Sequence, residues 1–167
     1  RFLPAIVLAA VSTLSVAGFD EGLAASAIGD YKTALKEWQP LANQGDASAQ
    51  LQIGVMYYSG NGVRKDFAAA AAWFRRAAEQ GNADAQNRLG VRYDRGEGVS
   101  KDVKEAAKWY AKSAAQGHPK AQCNLALDYK TGKGVEKDLK KAVELFYNSA
   151  IQGYANAQSN LGECYYN

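Results

Sequence analysis

The chain repeats itself every 36 residues, from Gly45 to Gly81, Gly117 and Gly153, with no gap across three full periods. Behind each glycine stands an Ala-Gln pair: Ala49-Gln50, Ala85-Gln86, Ala121-Gln122 and Ala157-Gln158. Leu89-Gly90 and Leu161-Gly162 follow, loosened to Ile53-Gly54 and Leu125-Ala126 in the other units. Tyr57, Tyr93, Tyr129 and Tyr165 come next, then the loops Gly60-Asn61-Gly62-Val63, Gly96-Glu97-Gly98-Val99 and Gly132-Lys133-Gly134-Val135. Lys65-Asp66, Lys101-Asp102 and Lys137-Asp138 continue the pattern. The unit closes on Ala70, Ala106 and Ala142, on Phe74, Tyr110 and Phe146, and on Gln80, Gln116 and Gln152. A unit this short cannot bury its apolar face alone. Three or more must stack before a continuous core exists.

Each unit reads as two helices. Ala85, Leu89, Gly90 and Tyr93 recur at three- and four-residue spacing and share one helical face. A glycine inside that helix costs about 1 kcal/mol against alanine, so its recurrence points to close approach by a neighbouring helix. The glycine pair ends the first helix, and the aspartate after it caps the second. Asp102-Val103-Lys104-Glu105 has the spacing of a full capping box. Ala106, Tyr110 and Ala114 form the buried stripe of that second helix. In the third unit, Pro119 after His118 opens the next first helix without loss of a needed N–H.

The ends of the array differ from its middle. Asp30, Tyr31, Ala34, Trp38 and Gln44 lie one period before Asp66, Phe67, Ala70, Phe74 and Gln80, which places a second helix at about residues 30 to 44. Phe19 to Ile28 supply a brief first helix, with Gly29 as the turn, and Pro40 is expected to kink or loosen the end of the second. Ahead of this, Phe2 to Val11 are almost wholly apolar after Arg1, and Ser15-Val16-Ala17 fits the small-x-small cleavage rule of secretory signals. A helix from Phe2 to Ala17 would span roughly 24 Å, short of the roughly 30 Å hydrocarbon core. The expectation is a cleaved leader over 1–17 and a periplasmic or secreted mature protein with no stable membrane insertion. The remaining boundaries follow the period: a shortened helical unit at 18–44, repeats at 45–80, 81–116 and 117–152, and the first helix of a truncated fourth repeat at 153–167. The initial Arg is read as a sign that a few residues are missing from the start, and the absent last helix as a sign either that the gene product continues or that Leu161, Tyr165 and Tyr166 meet something else.

Little in the chain points to chemistry. A net charge of +3 is too small for a phosphate-binding surface, so nucleic acid is not an expected partner. Two cysteines and one histidine exclude a disulfide framework and argue against a zinc site. The Gly-x-Gly-Val loops lack the later glycine of a phosphate loop and follow helices instead of strands. His118 has no nucleophile at fixed spacing. Cys164 lies five positions beyond the equivalent of Cys123 in the next unit, roughly 7 Å along the helix axis, which disfavours a bond between them. Lys101, Lys104, Lys108 and Lys112 form a basic row that reads as a solvated face, and Trp73 and Trp109 occupy equivalent positions beside the core. No catalytic residue, cofactor or metal is expected.

The run Ala-x-Ala-Gln-x-x-Leu-Gly-x-x-Tyr-x-x-Gly-x-Gly-Val-x-x-Asp-x-x-x-Ala resembles the Sel-one-like repeat (SLR), a relative of the tetratricopeptide repeat, over about residues 19 to 167. Phe19-Asp20-Glu21-Gly22-Leu23 with Gly29-Asp30-Tyr31 resembles the leading unit of exported bacterial proteins of this type. The resemblance implies an all-α fold, a right-handed αα-superhelix (solenoid) of 36-residue helix-turn-helix repeats, and a noncatalytic role as adaptor or scaffold for a protein or peptide partner. Some exported relatives staple each unit with two cysteines near the helix turn. The matching positions here are Ala78 and Gln86, then Ala114 and Gln122.

In such repeats the first helices line a concave face. Transfer by alignment nominates Leu51, Val55 and Tyr58 in the first repeat, Asn87, Val91 and Asp94 in the second, and Leu127 and Lys130 in the third as a partner-binding groove. An apolar stripe flanked by Asp94 and Lys130 would suit an extended or helical peptide. Val55 and Leu127 fit equally well as packing between adjacent helices. An exported hydrolase and a binder of cell wall or membrane surface are the alternative functions, the first resting on the leader alone and the second on the lysine row.

Overall fold

The computed structural model describes residues 17–166, with side-chain surroundings through Cys164. All regular structure among the described residues is helical: α1 (17–27), α2 (Tyr31–Asn43), α3 (Ala47–Ser59), α4 (Phe67–Glu79), α5 (Ala83–Arg95), α6 (Val103–Ala115), α7 (Pro119–Thr131), α8 (Leu139–Ala150) and α9 (Ala155–Tyr166). The expected leader, Ala17 apart, lies outside the described residues. The helices fall into two compact units whose boundary lies within α4, between Arg76 and Ala77.

Side chains start these helices as the spacing predicts. Asp66 Oδ1 accepts from the N–H groups of Ala68 and Ala69 at 2.8 and 2.9 Å, and Asp102 Oδ1 from those of Lys104 and Glu105 at 3.0 Å. Asp138 does the same for Lys141 at 3.1 Å. The first helices carry caps that sequence reading passed over: Asp46, Asn82 and His118, one per repeat, accept from Ala49, Ala85 and Ala121. The full capping box expected at Asp102 forms only by half. Its own N–H donates to the Tyr93 carbonyl at 2.9 Å, and Glu105 pairs with Lys108 instead. Asp66 and Asp138 donate in the same way to Tyr57 and Tyr129, so this bond stitches each hairpin turn. Replacing Asp102 with alanine is expected to cost about 1 kcal/mol, measured by urea unfolding, with most of it restored by asparagine.

Pro40 does not end α2, which continues to Asn43 and closes on bonds from Gln44 N–H to the carbonyls of Pro40 and Leu41. The missing N–H costs one rung of the helix. Burial of Trp38, Leu41 and Ala42 around it holds the last turn in place.

The first unit packs α1, α2, α3 and the start of α4 around Ala34, Trp38, Ile53 and Met56, with Phe19, Tyr31 and Val63 against them. Trp38 Nε1 donates to the Phe19 carbonyl at 3.2 Å. Gly54 in α3 faces the Phe74 ring so closely that a Cβ there would stand 2.7 Å from it.

The second unit repeats this contact. A Cβ on Gly90 of α5 would stand 2.7 Å from the Tyr110 ring of α6. The glycine predicted to admit a neighbour admits an aromatic ring. Where the third repeat has Ala126, that residue packs with Phe146, Ala142 and Cys123 between α7, α8 and α9. Cys123 and Cys164 are free thiols that join this one cluster. Each hairpin here is tied along its length: Ser113 Oγ donates to the Ala83 carbonyl at 2.7 Å and Gln116 Nε2 to Gln86 Oε1 at 2.8 Å. Ser149 and Gln152 repeat both bonds on Pro119 and Gln122.

Candidate functional site

The nominated groove residues divide between the two units. In the first unit, Leu51 is buried and Val55 and Tyr58 are half-buried. The Tyr58 ring stacks at a tilt on Phe67, 5.4 Å between centroids, with the Lys65 ammonium over both rings. The Tyr58–Phe67 contact joins α3 to the start of α4.

In the second unit the nominated residues gather on α5 and α7. Asn87 is buried, and its Oδ1 accepts from Asn124 Nδ2 at 3.0 Å. Val91 is half-buried against the cluster around Tyr110. Asp94 is paired with Lys133, and Lys130 with Glu163 of α9 at 3.0 Å. Leu127 is exposed at 36%.

Asp94 and Leu127 line an open cavity of about 220 Å³ with Tyr110, Asn124, Asp128, Thr131 and Lys133. Asp128 is its unusual member. Only 6% of its surface is exposed, yet its carboxyl makes no hydrogen bond or ion pair among the described residues. Burial pushes its pKa up to about 7, helped by the negative charge of Asp94 and opposed by Lys133. Burial, reinforced by Asp94 and Asp128, likewise keeps the Tyr110 phenol protonated.

The period explains how an unpaired acid came to be there. One position holds Met56 in the first repeat, Arg92 in the second and Asp128 in the third. Buried Arg92 pairs with Glu97 at 2.8 Å. Asp128 and Lys133 stand one period after Arg92 and Glu97 with both signs reversed, but Lys133 reaches across to Asp94 instead. The pair therefore stays open. Sequence reading missed Asp128, Asn124, Thr131 and Lys133 as site residues, although the Met56-Arg92-Asp128 column was visible in the repeat.

The other polar candidates are engaged structurally. His118 caps α7 through Nδ1, which leaves Nε2 3.7 Å from Asp84. His118, and after it Arg88, holds the Asp84 carboxyl below its usual range. Along the lysine row, Lys108 pairs with Glu105 and Lys112 lies 4.0 Å over the Trp109 ring. Arg76 stands over Trp73 one period earlier. Among the described residues no three His, Cys, Asp or Glu side chains cluster as metal ligands, and no helix is long and apolar enough to cross a membrane.

The Sel1 repeat profile matches residues 47–82, 83–118, 119–154 and 155–167. The chain belongs to the Sel1 repeat family. A Sel1 repeat protein from Oxalobacter formigenes is 35% identical over 84% of the chain, with a TM-score of 0.80. The uropathogenic Escherichia coli protective antigen c5321, which displays an SLR fold, is 38% identical over 93% of the chain, with a TM-score of 0.83. Helicobacter pylori cysteine rich protein B, at 24% identity over 79% of the chain and 95% of its own length, shares the fold with a TM-score of 0.62. The secretory immunoglobulin A-binding protein EsiB of E. coli O6:H1 is 44% identical over 43 residues, or 26% of the chain. The chain spans 58% of the Oxalobacter protein, 34% of c5321 and 9% of EsiB. Sel1 repeats generally mediate protein–protein interactions, and the expected fold class, an all-α solenoid of 36-residue helical hairpins, is the one this chain adopts.

Proposed function

We propose that this Sel1 repeat chain is an exported, noncatalytic adaptor that holds a peptide segment of a partner protein on the first-helix face of its second unit. Asn87, Val91, Asp94, Leu127 and Lys130 form that face. Leu51, Val55 and Tyr58 form the corresponding face of the first unit. The observation that carries the reading is Leu127, a large apolar side chain left exposed on the helix that also carries Lys130, at a cavity that Asp94 lines. Apolar anchors framed by charge suit a peptide laid along the helices. Export is supported by the apolar run Phe2 to Val11 followed by Ser15-Val16-Ala17, and by the likeness over 43 residues to a protein that binds secretory immunoglobulin A. The partner would then be an extracytoplasmic protein.

The burial of Leu51 makes it a poor probe, because a charge there would threaten the core. Leu127→Glu is the better test. Peptides selected from a displayed library on the wild-type protein are expected to lose at least tenfold in affinity for this variant, with its helical circular dichroism intact. Undiminished binding by the variant would remove Leu127 from the site and the reading with it.

A further inference from the structure

We propose that the cavity between α5 and α7 receives the cationic head of a basic side chain, a lysine ammonium or an arginine guanidinium, with Asp128 as its counter-ion. The proposal deepens the peptide-binding reading and depends on it only for the molecule that delivers the cation.

Three observations converge. Asp128 is more than nine-tenths buried and unpaired, and it lines a cavity open to solvent. A buried charge without a partner is costly, and the preceding repeat satisfies the equivalent position with an internal ion pair, Arg92 to Glu97. The counterpart here, Lys133, is committed to Asp94. The cavity therefore lacks one positive charge, and its wall supplies acceptors for one. Asn124 spends its amide N–H on Asn87 and keeps its carbonyl oxygen. Thr131 donates its hydroxyl hydrogen to the Leu127 carbonyl at 2.8 Å and keeps its lone pairs. Leu127 and the Tyr110 ring offer apolar surface for the methylenes behind a basic head group.

Ionisation of Asp128 sets the pH dependence. The groups facing it are Asp94 on α5, Tyr110 on α6 and Lys133 after α7, with Arg92 and Arg95 acting on the Tyr110 side. Since Asp128 titrates at about 7 when the cavity is empty, lowering the pH from about 8 to about 6 protonates it and weakens cation binding about tenfold.

The test uses Nα-acetyl-L-arginine amide and Nα-acetyl-L-lysine amide, with uncharged Nα-acetyl-L-citrulline amide as control. Titration into the ¹⁵N-labelled protein is expected to give saturable shifts of the Asn124 side-chain amide with a cationic probe only, about tenfold weaker at the lower pH and absent in Asp128→Asn. The carboxyl-carbon titration midpoint of Asp128, read in the wild-type protein, should fall when the probe is present. An equal response to the citrulline amide, binding retained in Asp128→Asn, or an unmoved midpoint would each overturn the proposal. The two readings fail separately. Cation binding alongside unaffected Leu127→Glu would leave the cavity and remove the peptide face, and the opposite pattern would remove the cavity alone.

Discussion

Gly134→Ala is expected to destabilise the protein by about 2–5 kcal/mol, whereas Gly132→Ala, two residues earlier in the same loop, costs only about 1–2. Both glycines have positive φ, +73° and +78°, so each variant carries the penalty of roughly 1–2 kcal/mol for an L-residue in the left-handed region. The difference lies in what a Cβ would meet. At Gly132 the nearest atom is the Lys137 Cβ at 3.5 Å, an ordinary contact. At Gly134 the Cβ would overlap the backbone carbonyl of Val103, the first residue of α6. A carbonyl within a helix cannot rotate aside, so the loop must lift from the preceding hairpin, adding an overpacking cost of about 1–3 kcal/mol. Gly62 repeats the contact on Tyr31 in the first unit. Urea unfolding of the two variants side by side decides the matter. Equal losses would mean that the second glycine is retained for its backbone angle and not for packing hairpin on hairpin.

The second large effect is a pH-dependent gain on replacing Asp128 with asparagine. The folded pKa of Asp128, about 7, lies above the ordinary carboxyl value of 3.8, so the native state binds the proton more tightly than the unfolded chain. Stability from this group is complete below about pH 4, is lost as the pH rises toward 7, and does not return above it. At about 1.4 kcal/mol for each pH step, the rise from 3.8 to about 7 would amount to a little over about 4 kcal/mol, and screening through the solvent-open cavity brings the loss to roughly 2–4 kcal/mol. Asparagine has the same shape without the charge, so Asp128→Asn should match wild type near pH 4 and exceed it by that amount near pH 8. Asp84, whose pKa is depressed, contributes in the opposite sense, present at neutral pH and lost in acid. It is common to both proteins and cancels in the difference. Unfolding curves for the pair that stay parallel from pH 4 to pH 8 would sink this account. An acid that costs stability at neutral pH is understandable where a bound cation offsets the cost.

Most of the fold could be read from spacing because each repeat presents the same local chemistry at the same step. Aspartates before the second helices, left-handed glycines after the first and a stripe of alanine and aromatic residues are local signals, and all did what their positions imply. Expectations failed where a distant group competed for the same atom or surface. The Asp102 N–H was claimed by the Tyr93 carbonyl, so the expected capping box closed only by half. The candidate site was legible only in part for a related reason. Alignment nominates outward positions by analogy, and so it found Asp94 and Leu127. Asp128 is instead a core position whose residue type departs from the repeat, and its importance depends on Lys133 choosing Asp94. A choice between two carboxylates is a matter of geometry in three dimensions, which a column of residues does not contain.

The Gln86 amide donates to the Ala78 carbonyl at 3.1 Å, joining the two positions at which cysteine-stapled relatives place sulfur. Gln50 and Gln158 make the same reach, eight residues back, to Ala42 and Ala150. A bond of about 1 kcal/mol thus stands where a covalent closure would contribute about 2–4. The hairpins need no oxidant to form, and reductants find nothing at these turns to cut. Closure of the described hairpins at these positions is therefore independent of thiol oxidation.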